Sequence, residues 1–401
     1  MKNKIDITEL DDLQANWSFP TPIRFGAGKI LQLAEICKVL NIKKPLLVTD
    51  TGLAEQDFVK SIVQANKDAG VKTEIFSEVK PNPTGANIEQ GVTVYKKGQH
   101  DGIIALGGGS SLDAGKAIAL MINQKYSLWD FEDVGDNWTR IDPDGIAPVI
   151  AVPTTAGTGS EVGRASVIVD EATSSKKIIF HPKMLPDVVI EDPVLTQGLP
   201  AHLTAATGID AFVHNLEAYC SPAYHPMADG IALEGMRLIK QWLPVAFNNG
   251  DDLVARSHML IASSMGATAF QKGLGGIHAL AHPLGAVFDK HHGLLNAILM
   301  PYVLIKNKPA IEEKIIHLAR YLDLDEISFN GFMNWMLTFR KDLGIPDKLA
   351  EIGLGIEKKD LIGSMATKDS CAAGNPVQFS KAQYAEIFQC AVQGTIKADD
   401  L

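Results

Sequence analysis

The chain is short of the features that assign a protein quickly. Its 401 residues hold four cysteines, Cys37, Cys220, Cys371 and Cys390, far apart and without a CxxC pair. They fit a reduced chain in the cytoplasm better than a disulfide framework or a thiolate zinc site. No apolar run approaches the roughly 20 residues needed to cross a bilayer. The start, MKNKIDITELDDLQ, carries charges and no apolar core, so no secretory signal is expected. Positive charge is in deficit: 37 Lys and Arg face 47 Asp and Glu, a formal net charge of −10. That balance argues against nucleic acid or an anionic membrane surface as partner. Internal repeats and low-complexity segments are missing as well.

One stretch, GGGSSLDAGKA (107–117), approaches two nucleotide motifs and completes neither. A P-loop requires four residues between its glycines and Ser or Thr after the lysine. Here five residues separate Gly109 from Gly115, and Ala117 follows Lys116. The Rossmann fingerprint Gly-x-Gly-x-x-Gly fails at its third glycine, where Leu112 stands. The loop therefore reads as a glycine-rich phosphate cradle without the residues that hold a Mg-nucleoside triphosphate, and Lys116 reads as a surface or packing residue.

What is present is a soluble globular composition, 46% hydrophobic and 21% charged, long enough for two domains. KPLLVTD (44–50), VKTEIFSEV (71–79), DGIIALGGGS (101–110) and APVIAVPTT (147–155) read as strands. They alternate with helical stretches at 53–70, around NIEQGVTVYKKGQH, and from Ser111 onward, which predicts βαβ units and a parallel sheet. SVIVD (166–170) and KKIIF (176–180) read as a hairpin, and DVVIED (187–192) as a last strand. From about Thr196 the periodicity becomes helical throughout. Two domains are expected, an α/β unit over 1–195 and an all-helical unit over 196–401.

The residues that carry chemistry cluster. His278, His282, His291 and His292 lie within GGIHALAHPLGAVFDKHHG, and Asp210 and His214 within TGIDAFVHNLEAY. Asp210/His214 and His278/His282 are i,i+4 pairs, so each pair shares a helix face. Imidazoles with one carboxylate suit a divalent transition metal such as iron or zinc, although spacing alone does not choose the ligands. AVPTTAGTGSEVG offers Thr154, Thr155, Thr158 and Ser160 after a strand. They can grip a pyrophosphate or a carboxamide, or form a plain solvated turn. Asp50, at a strand end, can accept from an adenosine ribose and so favour NAD over NADP, or simply cap the next helix.

Together PNP (81–83), GGGSSLDAGKA, PTTAGTGSEV, DP (192–193), ATGIDAFVHNLEAY and HALAHPLGAVFDKHHGLLNAILMP resemble the iron-containing (group III) alcohol dehydrogenases. Their superfamily also includes glycerol dehydrogenase and dehydroquinate synthase. The resemblance implies a dehydroquinate synthase-like fold: an α/β dinucleotide-binding domain, a helical metal-binding domain, and an active site between them. It implies metal ligands at Asp210, His214, His278 and His292, with His282 close to the metal but not bound to it. It places NAD on Gly107, Gly108, Gly109, Ser110, Asp113, the Thr154–Ser160 loop and Asp50. Asn82 and Lys176 make further contacts, the latter uncertain by one residue because Lys177 adjoins it.

The implied reaction is reversible hydride transfer between a small primary alcohol or diol and NAD, with Fe2+, or alternatively Zn2+, polarising the substrate oxygen. His282 is the candidate to relay or orient the proton, or else it only shapes the pocket. A lyase-like or polyol-dehydrogenase relative is the alternative reading. Homo-oligomers are common in the family, and the same is expected here.

Overall fold

The computed structural model describes residues 21–173 and 175–396. The amino-terminal stretch read for a signal lies outside them. Six parallel strands form one sheet in the order β1-β8-β5-β4-β2-β3. They are β1 (Ile23–Phe25), β2 (Pro45–Asp50), β3 (Glu74–Val79), β4 (Gly102–Gly107), β5 (Val149–Pro153) and β8 (Val188–Glu191). The central strands are near-continuous apolar runs because both their faces are covered. Alternation sorts their side chains: Leu46, Val48, Ile103, Ala105, Val149 and Ala151 pack on one side. Leu47, Ile104, Leu106, Ile150 and Val152 pack on the other. The β6 (Ala165–Asp170) and β7 (Ser175–Phe180) hairpin is antiparallel and stands apart.

Strand order reverses between β2 and β4, so their carboxyl ends splay into the crevice where open α/β sheets bind ligands. Asp50, the Gly107–Gly109 loop and the Thr154–Ser160 loop all leave strands at that edge. The helices of this half are α1 (Leu33–Val39), α2 (Thr51–Ala54), α3 (Asp57–Asp68), α4 (Gly85–Gly98) and α5 (Gly109–Met121). The helix expected over 53–70 is divided. Asp50 caps a single early turn by accepting from Leu53 N–H at 3.0 Å, and the chain re-enters helix after an extended Gln56. β1 was not anticipated; at three exposed residues it has no periodicity to read.

The second half carries no strand among its described residues. Its axis is α6 (Ala201–Cys220), buried from Thr204 to its end. A helix that is apolar all round belongs in a core, and α6 is enclosed by α7 (Pro226–Asn248), α8 (Leu253–Ala269), α9 (Gly276–Phe288) and α10 (His292–Tyr321). Helices α11 (Phe329–Asp342), α12 (Lys359–Ala366) and α13 (Lys381–Gln393) complete it. No described helix is long and apolar enough to cross a membrane.

The seam between the halves holds a buried acid pair. Ser264 Oγ on α8 lies 3.1 Å from Glu161 Oε1 and 2.5 Å from Glu191 Oε1. A hydroxyl has one proton to donate, so one of the two carboxyls must itself donate. Burial and the neighbouring Glu161 push the Glu191 carboxyl up to about 8. Burial likewise raises Glu161, with Lys116 opposing and Asp113 adding to the rise. Unfolding returns Glu191 to about 4.5. The folded protein therefore keeps a proton that the unfolded chain releases, and its contribution is full below about pH 4.5. It is lost at about 1.4 kcal/mol per pH unit until about pH 8. Glu191→Gln, whose amide donates at every pH, is expected to flatten that fall. Thermal unfolding of both proteins at pH 5 and pH 8 measures it, and parallel slopes would contradict the assignment.

Candidate metal centre

On α6, Asp210, His214 and Glu217 stand at i, i+4 and i+7, one polar stripe on an otherwise apolar helix. His278 comes from the first turn of α9 and His282 from its middle, and His292 opens α10. One ligating atom each from Asp210, His214, His278 and His292 lies within 4.8 Å of the others. The His214 and His278 rings stack at 4.7 Å between centroids. Four polar groups thus meet at one point inside a helical core.

The hydrogen bonds fix which nitrogens face that point. His278 Nδ1 lies 2.6 Å from Glu217 Oε2 and His214 Nδ1 lies 3.2 Å from the Gly157 carbonyl. Both partners only accept, so both Nδ1 atoms carry the proton and both Nε2 atoms present a lone pair. Burial lowers His214 to about 4 and holds His292 well below the usual histidine range. For His278 burial acts downward, but Glu217, Asp210 and Asp369 outweigh it and its pKa rises.

Asn296 Nδ2 donates into the cluster. It sits 2.7 Å from Asp210 Oδ1, 3.1 Å from His278 Nε2 and 3.2 Å from His292 Nε2. Its two N–H bonds suffice for Asp210 Oδ1 and the His278 lone pair and leave the His214 lone pair without a donor, and its own Oδ1 is buried with no hydrogen-bond partner among the described residues. A cluster with more inward lone pairs than donors fits a cation, and this N3O set fits a divalent transition metal.

Glu217 does more than orient one imidazole. It also accepts from Gly275 N–H at 3.0 Å and Ile277 N–H at 2.7 Å, so it caps α9 and aims His278 with the same carboxylate. Glu217→Gln is expected to weaken metal binding by about 10–100-fold. Competition with a chelator measures this; unchanged affinity would remove Glu217 from the account.

His282 is outside the four. Its Nδ1 lies 2.9 Å from Asp369 Oδ2, which leaves Nε2 as an acceptor, and its ring stacks on His292 at 5.3 Å. Although burial acts upward, the His282 ring holds the Asp369 carboxyl below its ordinary value. His291 turns away to cap α10, accepting from Leu294 N–H at 3.3 Å.

The two loops of the sheet edge meet beside this cluster. Gly108 caps α5, whose first turn holds Gly109 and Ser110 and presents its N-terminus to the crevice. Thr154 N–H donates to Gly107 O at 3.0 Å, joining the loops. A Cβ on Gly157 would lie 2.7 Å from Thr207 Cβ on α6, so only glycine lets this loop touch the helix that carries Asp210 and His214. The third glycine missing from the fingerprint is displaced to Gly115, where a Cβ would lie 2.5 Å from Ala105 Cβ. That is the close helix–strand approach the fingerprint's last glycine provides.

The remaining expected cofactor residues are placed as follows. Asp113 is turned into the protein: Oδ1 accepts from Ser160 Oγ at 2.6 Å and Oδ2 from Val167 N–H at 3.0 Å. It braces the Thr-rich loop. Thr158 Oγ1 accepts from Ser160 N–H at 3.4 Å, and Thr155 flanks Gly108. Ser110 Oγ donates to the Pro81 carbonyl. Asn82 Nδ2 donates to Asp289 Oδ1 at 2.8 Å, linking the two halves across the crevice. Lys176 and Lys177 point to opposite faces of β7, as strand alternation requires. Lys177 pairs with Asp170 and Glu132 at 3.1 and 3.4 Å, whereas Lys176 reaches toward Gly285 on α9. Burial lowers the Lys176 pKa against the pull of Asp113 and Asp210. Lys116, read as a surface or packing residue, is fully inside, held by the carbonyls of Ser160, Gly163 and Ala165.

Glu217, Asn296 and Asp369 were not anticipated. Glu217 and Asn296 had a signal, since they stand three and four residues beyond His214 and His292 on the same helices. Asp369 had none; it arrives from a loop 87 residues past His282.

Two family models match the chain. One described as iron-containing alcohol dehydrogenase covers residues 20–193, and one described as the C-terminal part of that family covers 204–392. The 4-hydroxybutyrate dehydrogenase of Cupriavidus necator is 37% identical over 379 residues, 92% of this chain and 97% of that one. The NAD-dependent methanol dehydrogenase of Bacillus methanolicus is 33% identical over 384 residues, 94% and 100% of the two chains. Among solved structures, a 1,3-propanediol oxidoreductase superposes with a TM-score of 0.89 at 35% identity, covering 94% of this chain and 100% of its own.

Proposed function

Because this chain belongs to the iron-containing alcohol dehydrogenase family, we propose that Asp210, His214, His278 and His292 hold its catalytic divalent iron. The protein is an NAD-linked oxidoreductase that interconverts alcohols and aldehydes. When bound, the metal supplies Lewis acidity at the substrate oxygen and NAD accepts or returns the hydride. The observation that carries the ligand assignment is the convergence of the Asp210 carboxylate with the Nε2 lone pairs of His214 and His278, whose Nδ1 protons are committed to Gly157 and Glu217.

The residues of the chain do the rest. The α5 N-terminus and the Thr154–Ser160 loop hold the dinucleotide phosphates, with Asn82 and Lys176 closing over the cofactor from the rim. Asp50 gives only one oxygen to its helix cap, leaving the other for a ribose hydroxyl and disfavouring a 2′-phosphate. His282, its Nδ1 proton committed to Asp369, takes up the alcohol proton at Nε2. The division at 195/196 assigns cofactor binding to the first domain and metal chemistry to the second, in support of which the sheet edge and the α6 stripe fall on either side of it. A cytoplasmic homo-oligomer completes the proposal, on the reduced cysteines and the family's habit.

A screen of short alcohols and diols, read by NADH formation on protein reconstituted separately with Fe(II) and Zn(II), tests this reading. Turnover with NAD above that with NADP is expected, and greatest with iron. Equal rates on metal-free protein would overturn the metal assignment.

A further inference from the structure

Between the β6–β7 hairpin and the helical half lies a cavity of about 340 Å3. That is the small end of the range for ligand pockets, about 300–1,000 Å3. Its inner end is made by Phe270 and Cys371. The Phe270 ring meets His214 edge-on at 5.3 Å, and Cys371 Sγ lies within 4.8 Å of ligating atoms of His282 and Asp369. The inner end therefore adjoins the metal cluster and the proton-accepting histidine. The flank is apolar, with Val162, Ile178, Phe180 and Leu274.

Two charged side chains line this cavity, Arg164 and Asp133. Asp133 is exposed at the rim. Arg164 is part-buried in the wall, its guanidinium 5.6 Å from the centre of the Phe180 ring. Burial lowers the Arg164 pKa below its ordinary value, yet a guanidinium remains charged in a folded protein.

From this we infer that the substrate is a hydroxy acid or its aldehyde acid, whose hydroxyl end faces the metal cluster while its distal carboxylate docks on Arg164. The inference rests on the dehydrogenase reading above and names its substrate class. A carboxylate tail forms a charge-assisted fork with the guanidinium, while the methylenes between fill the apolar flank. An alkyl or hydroxyl tail of the same length makes no such charge-assisted fork.

The test compares 4-hydroxybutanoate with 1,4-butanediol, two substrates of similar length, on the iron-loaded enzyme. Wild type is expected to oxidise the acid with the higher kcat/KM. Arg164→Met should cut kcat/KM for the acid by about 10–100-fold, chiefly through KM, and leave the diol within about twofold. Arg164→Lys keeps the charge without the fork and should fall between. A wild-type preference for the diol overturns the inference and needs no variant to fold. Equal losses on both substrates in Arg164→Met also overturn it, since they mark a structural role. In both cases the dehydrogenase reading stands. Absence of NADH from either substrate, and of NADH consumption with the matching aldehydes, defeats that reading and this inference with it.

Discussion

Replacing His278 by alanine is expected to remove the metal and lower kcat by about a thousandfold or more, the largest effect in this protein. The cluster offers one carboxylate and three imidazoles. His278 is the imidazole whose orientation is fixed most firmly, by Glu217 at 2.6 Å. Without it the site keeps three ligands and a cavity, and Glu217 keeps a charge once shared with the ring. A loss of about 4 kcal/mol of Lewis-acid stabilisation corresponds to a thousandfold in rate. Metal content and kcat, measured together after anaerobic reconstitution, should fall together. Loss of metal with kcat unchanged would sink the mechanism.

The second large effect is expected at Lys116→Met. The ammonium is buried, bonded to the carbonyls of Ser160, Gly163 and Ala165, and 3.4 Å from Asp113. Burial lowers its pKa and Asp113 opposes that shift, so the charge is held by its partners. Methionine fills the volume but leaves carbonyls and a carboxylate without their donor, which costs about 3 kcal/mol. A fall of roughly 5–10 °C in Tm follows for a domain of this size. Because Lys116 anchors the Thr-rich loop, KM for NAD should rise more than KM for the alcohol. A variant with wild-type Tm and KM would show that the loop holds itself.

The elements differ in how legible they were. β2, β4 and β5 could be read because strands buried on both faces are unbroken apolar runs bounded by glycine and proline. β1 could not, since three exposed edge residues carry no such pattern. The helix expected over 53–70 failed at a capping residue, because Asp50 begins a turn before the apolar periodicity starts. At the site, the local i,i+4 pairs were visible in the chain. What was not visible are side chains that act from a distance: Asp369 reaching His282, and Lys116 reaching the far loop. Asp113, expected at the cofactor, has a further task that its position in the sequence did not show: its two oxygens hold Ser160 Oγ and Val167 N–H.

In the proposed mechanism, four residues of α6, α9 and α10 bind one divalent metal on which NAD-linked alcohol oxidation depends. Titrating Fe(II) into chelator-stripped protein under anaerobic conditions, while following NADH formation from an alcohol, tests it most directly. Activity should rise linearly and level at one equivalent per chain, with no rise in a protein carrying Asp210→Ala and His278→Ala. Full activity before any metal is added, or the same titration curve from the double variant, would contradict it.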